Sequence, residues 1–173
     1  DNNVSSVLDL CPTDQSKPWY ILGNSFGNRV ICALITNNLF SNPPTKYIML
    51  GFPIFGPKCT MERVDALMEI PPGNDILCIF GEKDSFVLRG KDIYNDKYKD
   101  KVKDKHSTPD RRETLMTCMN ICNDIINDMK CKDTIQLHIC PHGGHGVLDC
   151  NTAAQCEEAV ANVLGWIVEF VTK

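Results

Sequence analysis

What the sequence lacks narrows its function before any motif is read. No run reaches the roughly 18 consecutive apolar residues that a membrane-spanning helix needs, and residues 1–18 do not show the basic-then-apolar pattern of a secretory signal. There is no G-x-x-x-x-G-K-[ST] and no G-x-G-x-x-G after a strand-like run, so the backbone cradles that hold nucleotide phosphates are missing. A net charge of −4 is too mild to imply nucleic acid or an anionic membrane as partner. No C-x-x-C pair occurs, so Cys140, His142, His145 and Cys150, although ligand types at short intervals, are not expected to hold zinc. No cofactor is expected.

Cysteine, by contrast, is abundant, with ten in 173 residues. Cys78 and Cys140 fall in strand-like runs, and Cys118 and Cys122 on an apolar helical stripe. Such positions suit small buried hydrophobes, which predicts reduced thiols and a cytoplasmic setting.

The chain has the length of one domain. Trp19–Leu22, Tyr47–Phe52, Ile76–Phe80 and Ile135–Cys140 read as strands. The middle two are apolar on consecutive positions, as in a parallel sheet covered on both faces. Ile135, Leu137 and Ile139 alternate with Gln136 and His138, which suits an edge. Between them lie helical patterns. Val30, Ala33, Leu34 and Asn37 precede a stop at Asn42-Pro43-Pro44, and Met61, Val64, Leu67 and Met68 make a shorter segment. Leu115 to Met129 forms a long stripe. Val160, Val163, Leu164, Ile167, Val168 and Val171 form the cleanest one. Strands alternating with helices predict an α/β domain with a mostly parallel sheet. Arg89 to Arg112 breaks the pattern, with nine Lys or Arg against five Asp, and reads as a charged insertion.

Ligands of open parallel sheets bind past the carboxyl ends of strands, and three residues of complementary chemistry stand there. Ser25 follows the first strand within Gly23-Asn24-Ser25-Phe26-Gly27. The flanking glycines would relieve crowding at a sharp strand-to-helix turn, and the Phe26 N–H would face a developing oxyanion. Asp84 lies on the turn beyond the third strand, with Glu82 as its rival. His145 lies among Gly143, Gly144 and Gly146 after the fourth strand, with His142 as its rival. A hydroxyl activated by an imidazole that a carboxylate orients is the logic of a serine nucleophile.

These residues carry a family resemblance. The order Ser, Asp, His is that of α/β-hydrolases, and "GNSFGNRV" followed by "GFPIFGP" resembles the small dienelactone-hydrolase-like branch that includes testis-expressed protein thirty. Asn24 stands where that branch usually has arginine. The resemblance covers about Trp19 to Lys173 outside the insertion. It implies a three-layer αβα fold and a serine hydrolase acting on an ester, thioester or related acyl bond. Ser25 would be the nucleophile, His145 the base and Asp84 its partner, with Phe26, Gly23 and Gly27 forming the elbow. Relatives in that branch also serve as non-catalytic scaffolds, which is the alternative. It further implies strands before Trp19 for which the first 18 residues leave no room. The chain is therefore expected to be the C-terminal part of the fold, with a second polypeptide or a second copy as a source of the missing strands.

Overall fold

The computed structural model describes residues 8–55, 63–88 and 111–173. Its strands are β1 (Tyr20–Asn24), β2 (Lys46–Leu50), β3 (Ile76–Gly81) and β4 (Ile135–Cys140), all parallel and in the spatial order β1-β2-β3-β4. Parallel neighbours cannot be joined by a hairpin, so helices occupy the crossovers. Helix α1 (Phe26–Thr36) follows β1, the short α2 (Asp65–Met68) follows β2, and α3 (Ser85–Leu88) and α4 (Arg111–Asp128) follow β3. Helix α5 (Ala153–Thr172) follows β4. The chain is an α/β protein.

Strand register assigns the side chains to two faces. Tyr47, Met49, Ile76, Cys78 and Phe80 pack with Ile31, Cys32, Leu34 and Ile35 of α1 and with Cys118, Ile121, Cys122 and Ile125 of α4. Ile48, Leu77 and Ile79 point the other way, onto Ala159, Val163 and Phe170 of α5. Burial on both sides explains why the two central strands are apolar at consecutive positions. Six of the cysteines described are buried and serve as core side chains.

Three sequence expectations shift. The first strand begins one residue later, at Tyr20, and ends two residues later, at Asn24, because Asn24 still pairs with Leu50. Helix α1 ends at Thr36, well before Pro43. Asn38 takes φ 51°, and the Asn38 and Leu39 N–H groups donate to the Ile35 and Leu34 carbonyls, a left-handed cap that needs no proline. The apolar stripe of α5 splits: Val163 is buried while Val160, Leu164 and Val168 are exposed, with Ala159 and Phe170 completing the buried face. The charged segment falls at residues 89–110, outside the described residues, apart from Arg111 and Arg112, which open α4. Met61 also lies outside them.

Among the described residues β1 has a neighbour on one side only. Leu22 is 51% exposed and Tyr20 41%. Leu164 and Val168 of α5 are 56% and 57% exposed. Trp166, on the opposite flank of α5, stacks on His138 of β4 at 4.5 Å, while the Tyr20 hydroxyl donates to the Val171 carbonyl. The exposed stripe of α5 therefore lies on the β1 side. A groove of about 780 Å³ runs along the same edge, lined by Leu10, Trp19, Ile21, Phe26 and Val30 among others. An apolar open edge is a pairing template that a folded chain normally covers.

Candidate functional site

The site is built where β1, β3 and β4 end. At the first of these, Ser25 adopts φ 50° and ψ −112°, a region that costs about 1–3 kcal/mol for a residue with a side chain. The surroundings hold it there. Its N–H donates to the Leu50 carbonyl at 3.0 Å, and its own carbonyl accepts from the Asn28 N–H at 3.1 Å. The buried Asn28 side chain also donates to Leu50 O, at 2.7 Å. Asn28 sits this close because residue 23 is glycine: a Cβ there would lie 2.4 Å from Asn28 Oδ1 and 2.6 Å from Ile31.

Gly27 differs from expectation. Nothing lies within 4 Å of the position a Cβ would take, so residue 27 is glycine for no steric reason. It is the second residue of α1 and lines the groove beside β1, where a side chain would project into open space.

Beyond β3, Asp84 is fully buried and accepts from the Phe86 N–H at 2.8 Å, which fixes its carboxylate at the start of α3. The Phe55 N–H donates to the Phe86 carbonyl at 2.9 Å, so the buried Phe52, Ile54 and Phe55 of the loop after β2 brace this turn. Glu82 is also buried, but its Oε2 accepts from the His142 N–H at 3.0 Å. The rival carboxylate therefore shapes the loop that carries the imidazole and does not meet it.

That loop is pressed onto the other two. The Glu82 and Lys83 N–H groups donate to the Cys140 and Gly143 carbonyls. The Gly146 N–H donates to Asp149 Oδ2 at 2.9 Å. Gly51, at φ 54°, lets the loop pass over it, since a Cβ there would lie 2.0 Å from the His145 carbonyl.

The result is one continuous hydrogen-bond chain. His145 Nε2 is 2.7 Å from Ser25 Oγ, and His145 Nδ1 is 3.2 and 3.1 Å from the two Asp84 oxygens. An acceptor-only carboxylate keeps the proton on Nδ1, which leaves Nε2 to accept from the serine hydroxyl. Burial pushes the Asp84 carboxyl above its usual range, and the hydrogen bond from His145 offsets this in part. The Phe86 ring packs against the imidazole at 4.3 Å between centroids. The Phe26 N–H occupies the first position of α1, where a helix supplies no carbonyl to receive it. The groove along β1 reaches Asn24 and Phe26 on either side of Ser25, but its walls do not include Ser25 itself.

The structure thus brings Ser25, Asp84 and His145 together and places Gly23 and Phe26 at the elbow. His142 is turned away, its Nε2 4.0 Å from Glu158. Among the described residues no three of His, Cys, Asp and Glu converge as metal ligands. Sequence reasoning missed Asn28, Phe86 and the positioning role of Glu82. Only Asn28 left a trace, as a polar residue in the first turn of a mostly apolar helix.

The two histidines are separable by substitution. His142 has φ 63°, a conformation asparagine accepts readily, so His142→Asn should leave the reaction of Ser25 with a fluorophosphonate within about twofold of wild type. His145→Asn should slow it by a factor of about 10³ or more, read by gel fluorescence against time.

No protein-family model, curated protein or solved structure matches this chain.

Proposed function

We propose that the chain carries a serine hydrolase site of the α/β-hydrolase type that cleaves an ester, thioester or related acyl bond. The observation that carries this is the unbroken contact from Ser25 Oγ through the His145 imidazole to Asp84, at 2.7 Å and then 3.1 Å. Ser25 attacks the acyl carbon as Nε2 of His145 takes its proton. Asp84 stabilises the imidazolium, and the Phe26 N–H stabilises the oxyanion. Collapse sends the Nε2 proton to the leaving group, and water then releases the acyl group by the same path. A single oxyanion donor falls short of a complete hole by about 10²–10³ in rate. A second donor would come from whatever segment completes the β1 edge, since that edge borders Phe26. No cofactor enters these steps. Thiols seated as core side chains support a reducing compartment such as the cytoplasm.

Intact protein should be labelled by a fluorophosphonate probe in one-to-one stoichiometry, and Ser25→Ala should abolish labelling. Folded Ser25→Ala that labels as fast as wild type would remove the proposal.

A second reading, a hydrolase-fold interaction subunit, is favoured by the open β1 edge and the exposed Leu22, Leu164 and Val168 beside it. The edge fits an extended segment with apolar side chains on both faces, one row entering the groove and the other meeting α5. On this reading Leu22→Lys lowers self-association in light scattering or analytical ultracentrifugation without lowering the melting temperature, because the side chain is half in solvent already.

A further inference from the structure

The loop that carries His145 ends in a thiol, and a second thiol meets it from helix α5. Cys150 follows Asp149 at the end of the loop, and Cys156 is the fourth residue of α5. Both reach one backbone atom: the Cys150 N–H donates to the Leu148 carbonyl at 2.9 Å, and the Cys156 thiol donates to it at 3.8 Å. The two side chains also hydrogen-bond each other. Each is half-buried, so a small oxidant in solvent can reach it. Cys118 and Cys122 make a similar contact one turn apart on α4, but both are sealed in the core. Cys140 is buried too, its thiol directed to the Pro141 and Ala159 carbonyls.

The exposed pair is linked to His145 through Asp149. The Gly144 N–H donates to the Asp149 carbonyl at 3.2 Å and the Gly146 N–H to its carboxylate at 2.9 Å, one on each side of His145. Cys156 belongs to the firmer partner, a helix of 20 residues whose Ala159, Val163 and Phe170 pack on the sheet. A covalent bond would draw the sulfurs together and remove the S–H that the Leu148 carbonyl receives, and the loop is the element that yields. We propose that Cys150 and Cys156 form a redox modification site, a reversible disulfide that draws the His145 loop away from Ser25. The disulfide itself stands on the thiol geometry, and its effect on turnover rests on the hydrolase reading above.

Hydrogen peroxide is the oxidant. One thiol, as its thiolate, attacks the O–O bond, becoming a sulfenic acid, and the hydroxide released takes up the thiol's proton as water. The second thiol attacks the sulfenic sulfur, forms the S–S bond and gives its proton to the departing hydroxide as a second water. Two thiols lose two electrons and one peroxide gains them. Two molecules of a thiol such as glutathione reverse the step by exchange and leave as their own disulfide. Burial and then the Cys156 thiol raise the Cys150 thiol above its ordinary value, with the Lys83 ammonium opposing them, so peroxide dose and not a hyper-reactive thiolate sets the rate.

The test is peroxide treatment of the protein, a catalase quench, thiol alkylation and cleavage before Asp149, which parts Cys140 from Cys150 and Cys156. The fragment from Asp149 should be lighter by two hydrogens and unalkylated, and fluorophosphonate labelling of Ser25 should slow about tenfold or more, with dithiothreitol restoring both. Cys156→Ser keeps a donor for the Leu148 carbonyl, so it should label within about twofold of untreated wild type and ignore peroxide. Thiols that stay open to alkylation, Cys150 paired with Cys140 or any other cysteine, or Cys156→Ser slowed as much as wild type would overturn the site. A correct disulfide with unchanged labelling would remove its control of His145. If untreated wild type does not label, the hydrolase reading fails separately and amide exchange over residues 143–149 becomes the readout. Faster exchange there in the oxidised protein would keep the proposal, and unchanged exchange would remove it.

Discussion

Asp84→Asn should lower turnover by about 10⁴ and, at neutral pH, raise the melting temperature. The activity loss follows from the tautomer. Asparagine can donate to Nδ1, which places the imidazole proton on Nε2, facing Ser25, where an acceptor is required. The stability gain follows from burial. The carboxyl is fully buried, and desolvation is the largest influence on its titration, raising it above the usual value of 3.8 despite the opposing hydrogen bond from His145. A folded state that holds this proton more tightly than the unfolded chain is relatively favoured below about pH 4 and loses that advantage as pH rises through the raised value. At pH 7 the ionised Asp84 is thus a burden on folding that asparagine removes, while its amide oxygen still accepts from the Phe86 N–H. Thermal melts of both proteins at pH 7 and near pH 3.5 should show the difference shrinking on acidification. A variant less stable than wild type at pH 7 would mean that the hydrogen bonds to Asp84 outweigh the cost of burying it.

Gly81→Ala should lower both stability and rate, by a different route. The added Cβ would lie 2.0 Å from the Gly144 carbonyl oxygen and 2.4 Å from that of Gly143. Both obstacles are backbone in the loop that carries His145, so relief requires moving that loop. Overpacking of this kind costs about 1–3 kcal/mol when side chains can yield, and more is expected where backbone must. Whatever fraction folds should carry a displaced imidazole, and displacement by about 1 Å costs roughly 100-fold in rate. Gly27→Ala is the matched control. Nothing lies within 4 Å of its Cβ position, and alanine is favoured over glycine within a helix by about 1 kcal/mol, so a small rise in melting temperature is expected. Denaturant titrations with probe labelling read both effects.

Much of the fold was legible because the sheet is covered on both faces. Tyr47 to Leu50 and Ile76 to Phe80 are apolar at every position, a pattern that belongs to buried parallel strands and that the structure bears out. Helix faces were less legible. Val160, Leu164 and Val168 fit the apolar period of α5 as well as Val163 does, and periodicity cannot tell a face packed on the sheet from one that overhangs its edge. Helix α1 stopped early for a related reason, since Asn38 is an unremarkable residue in sequence and a cap only once its left-handed backbone is seen.

At the site, sequence by itself determined the chemical types and their places in the chain. A serine, a carboxylate and an imidazole each stand beyond a different strand, because a parallel sheet collects its carboxyl ends on one side. Tertiary structure decided the choices that depend on distances between loops remote in sequence. Asp84 and Glu82 are two residues apart and both buried, yet one carboxylate meets the His145 ring and the other the His142 backbone. The glycines at 23, 51 and 81 matter through atoms they nearly touch in other segments, whereas Gly27 touches none. Sequence spacing carries no record of such approaches, because they arise only when three loops are folded onto one another.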